Sequence, residues 1–140
     1  MAFTGYMIKL KGLNSDPDEE LPMDYMAVDS YSATPNQRME AKANRAVTGL
    51  LHRSTVSHTA SKIEFETPPC TNKEVAAINA LLSGHYSNAL ERKLQIEYYD
   101  PETDTYKTAE VYVPDVQYKI SRVDGNTIYY DKIRYAFIEY

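Results

Sequence analysis

A chain of 140 residues, 43% hydrophobic and 25% charged, is the size of one domain and carries enough apolar residues for a single core. Its net charge of −5 is spread along the chain, −2 over residues 1–70 and −3 over 71–140, so there is no basic patch to form a nucleic-acid groove. A single cysteine, Cys70, excludes an internal disulfide and a thiolate metal cage. The unusual number is 13 Tyr against 3 Phe and no Trp, with ten of the tyrosines from Tyr86 onward. Tyr favours strands, and its amphipathic ring suits half-buried surfaces and surfaces that meet a partner.

The N-terminus, MAFTGYMIKLKG, has neither the apolar core nor the cleavage site of a signal peptide. No apolar run approaches the ~18 residues of a membrane span. A soluble protein made in the cytoplasm is expected. Gly5 to Leu10 reads as a first strand with Tyr6, Ile8 and Leu10 on one face. Asn14 to Glu20 (NSDPDEE) is an acidic, turn-rich loop without the spacing of a calcium loop. Pro22 to Tyr31 alternates as a second strand. Gln37 to Val47 holds good helix formers but no apolar stripe, and residues 32–61 together read as an extended loop, a candidate contact arm.

The pattern then turns helical over residues 72–83. Thr71 and Glu74 have the spacing of a capping box, and Val75, Ile78, Leu81 and Leu82 form one apolar face. Gly84 is placed to end the helix in the left-handed conformation. From Leu90 the chain reads as β: Leu94 to Tyr99 and Thr105 to Val113 flank the turn Asp100-Pro101-Glu102-Thr103-Asp104, predicting a hairpin. A second hairpin is expected from Val116–Arg122 and Thr127–Glu139 around Asp124-Gly125-Asn126. The last strand has apolar residues on both parities, as a strand covered on both sides would.

Residue types for catalysis are present without the geometry of a site. His52, His58 and His85 lack both the i, i+4 helical pair and the His-x-His strand pair of a zinc site. Ser54 or Ser57 with His58 has no G-x-S-x-G elbow behind it. Glu64 and Glu66 share one face of a strand, with no carboxylate identified across a cleft. The five glycines are scattered among turns and caps and form no phosphate loop. Cys70 precedes the helix, where the helix dipole can lower a thiol pKa, but a bystander thiol is the expectation. The reading is therefore not an enzyme, with no cofactor and no metal. A monomeric binding module or small enzyme is the alternative of another class.

Three stretches resemble a known family when taken in order. Arg45-Ala46-Val47-Thr48-Gly49-Leu50-Leu51-His52-Arg53 fits R-x-x-x-G-x-L-x-R, and Lys62-Ile63-Glu64-Phe65 fits its K-I-E-(F/L) strand. After the helix, Tyr98-Tyr99-Asp100-Pro101-Glu102-Thr103 fits its Y-x-D-P-E hairpin. From Arg45 to Tyr140 the chain resembles small tail-module proteins of siphophages and prophages of Gram-positive bacteria. The resemblance implies a mainly β (α+β) fold of tail-tube type: an antiparallel β-sandwich or barrel with one flanking α-helix and a long loop, in a single domain over 1–140. It implies a virion structural protein in the tail or baseplate, assembled in the host cytoplasm into rings, with a hexamer expected. A head–tail connector or tail terminator is the alternative within the virion. Partners would be further copies of the chain and other tail or baseplate proteins, with no sequence-specific nucleic-acid binding and no membrane. The expected contacts are Arg45, His52 and Arg53 in the arm and Tyr98, Tyr99 and Tyr112 on the hairpin.

Overall fold

The helix forms where the sequence places it. The computed structural model describes residues 3–45 and 49–140, side chains excepted at 39–45 and 52–58. Helix α1 runs Asn72–Ser83, and its capping box is complete: the Thr71 hydroxyl accepts from the Glu74 N–H while the Glu74 carboxylate accepts from the Thr71 N–H. Val75, Ile78 and Leu82 are buried in the core. Gly84 departs from expectation, with φ −66° and ψ −14° in the right-handed region. The helix is ended instead by bonds from the Gly84 N–H to Ala80 and Leu82, followed by His85 N–H to the Leu82 carbonyl.

Among the described residues, ten strands accompany the helix: β1 (Ile8–Leu10), β2 (Glu19–Glu20), β3 (Ser32–Arg45), β4 (Leu51–Glu66), β5 (Cys70–Thr71), β6 (Lys93–Asp100), β7 (Thr105–Tyr112), β8 (Ile120–Asp124), β9 (Thr127–Tyr130) and β10 (Arg134–Glu139). A seven-stranded sheet has the order β2-β1-β6-β7-β10-β4-β3, and a small sheet has the order β5-β9-β8. Every pairing is antiparallel. The large sheet is strongly curled. In a flat sheet β6 and β4, separated by β7 and β10, would stand roughly 14 Å apart, beyond the joint reach of a Tyr and a Ser side chain. Yet the Tyr98 hydroxyl donates to Ser61 Oγ at 3.1 Å. Inside the curl lie Ile8, Leu10, Ile63, Phe65, Leu94, Ile96, Val111, Tyr135 and Phe137, all at most 1% exposed. Phe65 stacks on Tyr135 and Phe137 with ring centroids 5.6 and 6.3 Å apart, and the Tyr135 hydroxyl donates to Asn79 Oδ1 of α1 at 3.1 Å. The fold class read from the sequence, mainly antiparallel β with one flanking helix, is what the chain forms.

Five element boundaries differ from the sequence reading, beginning with the first strand, which starts at Ile8 and not at Gly5. Residues 32–61 are no open loop: β3 and β4 pair from Ser32↔Glu64 to Arg45↔Leu51, with register shifts between Thr34 and Gln37 and on either side of Glu40. Pro22 to Tyr31 is no strand but two 3-10 turns, Met23–Tyr25 and Val28–Ser30, entered at Pro22 with φ −58°. The Ser30 hydroxyl, bonding Ala27 O and Glu66 O, holds the second turn against β4. The expected last strand is two, β9 in the small sheet and β10 in the large one. The preceding strand starts later than expected, at Ile120.

Candidate assembly interface

Three surface features follow from this architecture, and the first is the arm. At its root β4 lies between β3 and β10, whose pairing with β4 covers Lys62 to Glu66. Beyond the pair Gln37↔Ala60 the two strands have only each other among the described residues. Strand rise carries this two-stranded ribbon roughly 30 Å out from the sheet. Near its turn Gly49 adopts φ +88°, a conformation that suits glycine, and Leu50 and Leu51 are 63% and 43% exposed. Ser61 fastens the root. Its hydroxyl accepts from the Asn36 N–H at 3.0 Å and from Tyr98, and its own N–H donates to Glu139 Oε1 at 2.8 Å. Arg45, His52 and Arg53 fall in the arm, paired through their backbones with Leu51, Asn44 and Ala43, and their side chains lie outside the described residues.

The second feature is the outer face of the β6–β7 hairpin. Strand parity puts Tyr99 and Tyr106 side by side there as a cross-strand pair, with rings 5.9 Å apart. Phe3 meets Tyr99 edge-on at 5.6 Å, and Tyr6 stacks on Tyr106 at 4.4 Å. The Tyr99 hydroxyl donates to Asp104 Oδ1 at 2.8 Å, a bond that raises its pKa. Tyr112 lies at the far end of β7, edge-on to Tyr140 at 5.5 Å. The Tyr140 hydroxyl donates to Glu91, which pushes its pKa up to about 12. Tyr99 and Tyr112 are thus half-exposed. Tyr98 is not. It takes the opposite parity, is 2% exposed and belongs to the core, so the expectation of a contact there is corrected.

The third is a groove of about 590 Å³ between α1 and the loop that follows β1. Ala77, Ala80 and Leu81 form one wall, Leu13, Pro17 and Glu19 the other, and His85 lies in the floor. The loop is held tightly. The Gly12 N–H donates to Asp18 Oδ1 at 2.8 Å, and a Cβ at Gly12 would stand 2.0 Å from the Asp16 carbonyl oxygen. The Gly12 N–H and the Lys11 ammonium hold the Asp18 carboxyl below the usual carboxylate range. His85 is 5% exposed, with Nδ1 2.8 Å from the Leu81 carbonyl oxygen.

The chemistry candidates find no common site. Among the described residues no group of three His, Cys, Asp or Glu is arranged to hold a metal ion. Cys70 is buried, and burial pushes its thiol pKa up, in spite of the bond with Thr67. Among the described residues no helix is long and apolar enough to cross a membrane. Ser61, Glu139 and the exposed Leu50–Leu51 pair went unnoticed in the sequence. Only the two adjacent leucines beside a glycine, inside a polar stretch, left a signal there.

The full length, residues 1–140, matches a family of unknown function, DUF6711. The chain belongs to the DUF6711 family. No curated protein matches it. Among solved structures, the DUF6711 chain is similar in fold to a chain described as "Tail of empty GTA particle computed with helical refinement, C6 symmetry". The TM-score is 0.51 at 10% identity, covering 99% of this chain and 95% of the other. The likeness is one of fold, and it extends over nearly the whole of both chains.

Proposed function

We propose that this DUF6711 protein is a structural component of a phage-like tail, a non-enzymatic subunit that associates with copies of itself into rings and with other tail or baseplate proteins. The observation that carries the reading is the fold likeness to a tail subunit over 99% of the chain, in an assembly of C6 symmetry. A hexameric ring and a place in the virion follow from that reading, and the siphophage tail-module resemblance of residues 45–140 agrees with it.

The molecule's surface supports it physically. A two-stranded ribbon is at best marginally stable by itself in water, so a ribbon of roughly 30 Å is an expensive ornament for a monomer. Docked on a neighbour, its exposed edges and faces gain partners. The half-exposed tyrosines of β6–β7 are the residue type that anchors interfaces at low entropic cost. Arg45, His52 and Arg53 belong to the reading as arm contacts, and Tyr99 and Tyr112 as hairpin contacts.

Light scattering after size exclusion, over a concentration series, tests it. The expected outcome is a rise from 16.0 kDa to a discrete multiple, or growth into tubes visible by electron microscopy. A strict monomer at every concentration, with no binding to tail proteins encoded beside it, would overturn the reading.

A further inference from the structure

We propose that the tip of the β3–β4 arm, with Leu50 and Leu51 as its knob, docks into the groove between α1 and the 13–19 loop of a second copy of this chain. The inference rests on the self-association proposed above and deepens it by naming both halves of the contact.

Three observations converge on that pairing. The tip offers the apolar part: Leu50 and Leu51 are 63% and 43% exposed, an unusual state for neighbouring leucines. The groove offers the apolar receptor, in Leu13, Ala77, Ala80 and Leu81, with a volume of about 590 Å³ in the range of sites that bury small ligands. Charge makes the match directional. In the sequence, residues 32–60 carry Arg38, Lys42, Arg45 and Arg53 against Glu40 alone. Residues 14–24 carry Asp16, Asp18, Glu19, Glu20 and Asp24 with no Lys or Arg, and Asp16 and Glu19 line the groove. Opposite charges of this kind steer and orient an apolar contact.

Geometry makes the occupant another copy. β3 and β2 are the two edges of the seven-stranded sheet, and Glu19 of the groove belongs to β2. Paired strands carry the tip roughly 30 Å from the sheet, a reach that suits a groove on another molecule. Knob and groove are therefore different patches of one surface, each complementary to the other on the next molecule. Such a head-to-tail contact closes into a ring or continues as a filament.

The test uses the full chain in two variants. Leu50→Ser with Leu51→Ser removes the apolar knob. Ala80→Arg, at an exposed helical position, fills the groove and repels a cationic arm. Each variant alone should self-associate at least tenfold more weakly than the wild type, with an unchanged circular-dichroism melt. An equimolar mixture should form dimers and stop there, because one sound tip meets one sound groove and the other junction is dead. If Ala80→Arg alters the melt, Ala77→Arg on the same wall takes its place. Variants that assemble like the wild type, or a mixture that forms no dimer, would overturn the docking and leave ring formation standing. A wild type that never associates would overturn both.

Discussion

Asp100 shows how much a single side chain can carry in this fold. It is fully buried at the start of the β6–β7 turn, and it accepts from Lys107 Nζ at 2.8 Å, the Glu102 N–H at 2.9 Å and the Thr103 hydroxyl at 3.3 Å. Burial pushes its carboxyl up, but the Lys107 ammonium and the two other donors outweigh burial and hold it below the usual range. A carboxyl depressed in the folded state stabilises the fold above its unfolded pKa of about 3.9, and that contribution is lost as pH falls through the folded value. Asp100→Asn keeps an acceptor and loses the charge. We expect it to cost about 2 kcal/mol at neutral pH, the scale of a hydrogen bond to a charged group. The deficit should shrink as pH falls below the unfolded pKa of about 3.9 and through the lower folded value. Urea titrations of both proteins between neutral pH and about pH 2 measure this, and a deficit that stays constant across the series would refute the assignment.

At the scale of elements, the arm and its root divide the labour. Ser61 ties β3, β4, β6 and β10 together by hydrogen bonds with Asn36, Tyr98 and Glu139, while among the described residues the ribbon beyond it pairs only within its own ladder. Ser61→Ala leaves the Tyr98 hydroxyl and the Asn36 N–H without their acceptor. The expected result is a loss of about 2 kcal/mol, the cost of stranding buried polar groups. In hydrogen exchange on the monomer, amides of 36–38 and 59–61 should exchange faster, with those of β7 ranking as before. Equal acceleration throughout would mean that the serine stabilises only the whole fold.

The same contrast decides what could be read from the sequence. Helix α1 was legible because Thr71, Glu74 and the Val75–Ile78–Leu82 stripe are local signals for one local structure. The β6–β7 hairpin was legible because one of its faces is buried, which imposes alternation. The arm was not. Alternation is the mark of a strand with one face on a core, and QRMEAKANR does not alternate apolar and polar residues, so its period of two is silent. Pro22 to Tyr31 failed in the opposite sense. It alternates, but Pro22 and the bonds of Ser30 bend it into turns. Tyr98 was misplaced because parity within a strand separates two faces without saying which of them is inside. The role of Ser61 depends on Tyr98, 37 residues away, and no local pattern carries it.

For the molecule as a whole, the arm is separable from the core. Among the described side chains, the buried cluster begins at the arm's root, with Ile63 and Phe65, and draws on none between Thr34 and Ser61. Replacing residues 38–59 with a two-residue Asn-Gly turn closes the ribbon at its Gln37↔Ala60 pair. The shortened chain is expected to remain folded, with a melting temperature within a few degrees of the full chain, and to sediment as a monomer at concentrations where the full chain assembles. Rings formed by the shortened chain would show that assembly runs through the tyrosine face of β6–β7 instead. The arm's pairing also sets a rule for how it can change in length. Side chains alternate sides along a strand, so one residue added to each strand turns the tip over, while two restore its facing and move it outward by roughly 7 Å. The arm is thus a ruler with coarse graduations. Its relatives should differ there by even numbers of residues per strand, and the spacing between assembled subunits should change in steps.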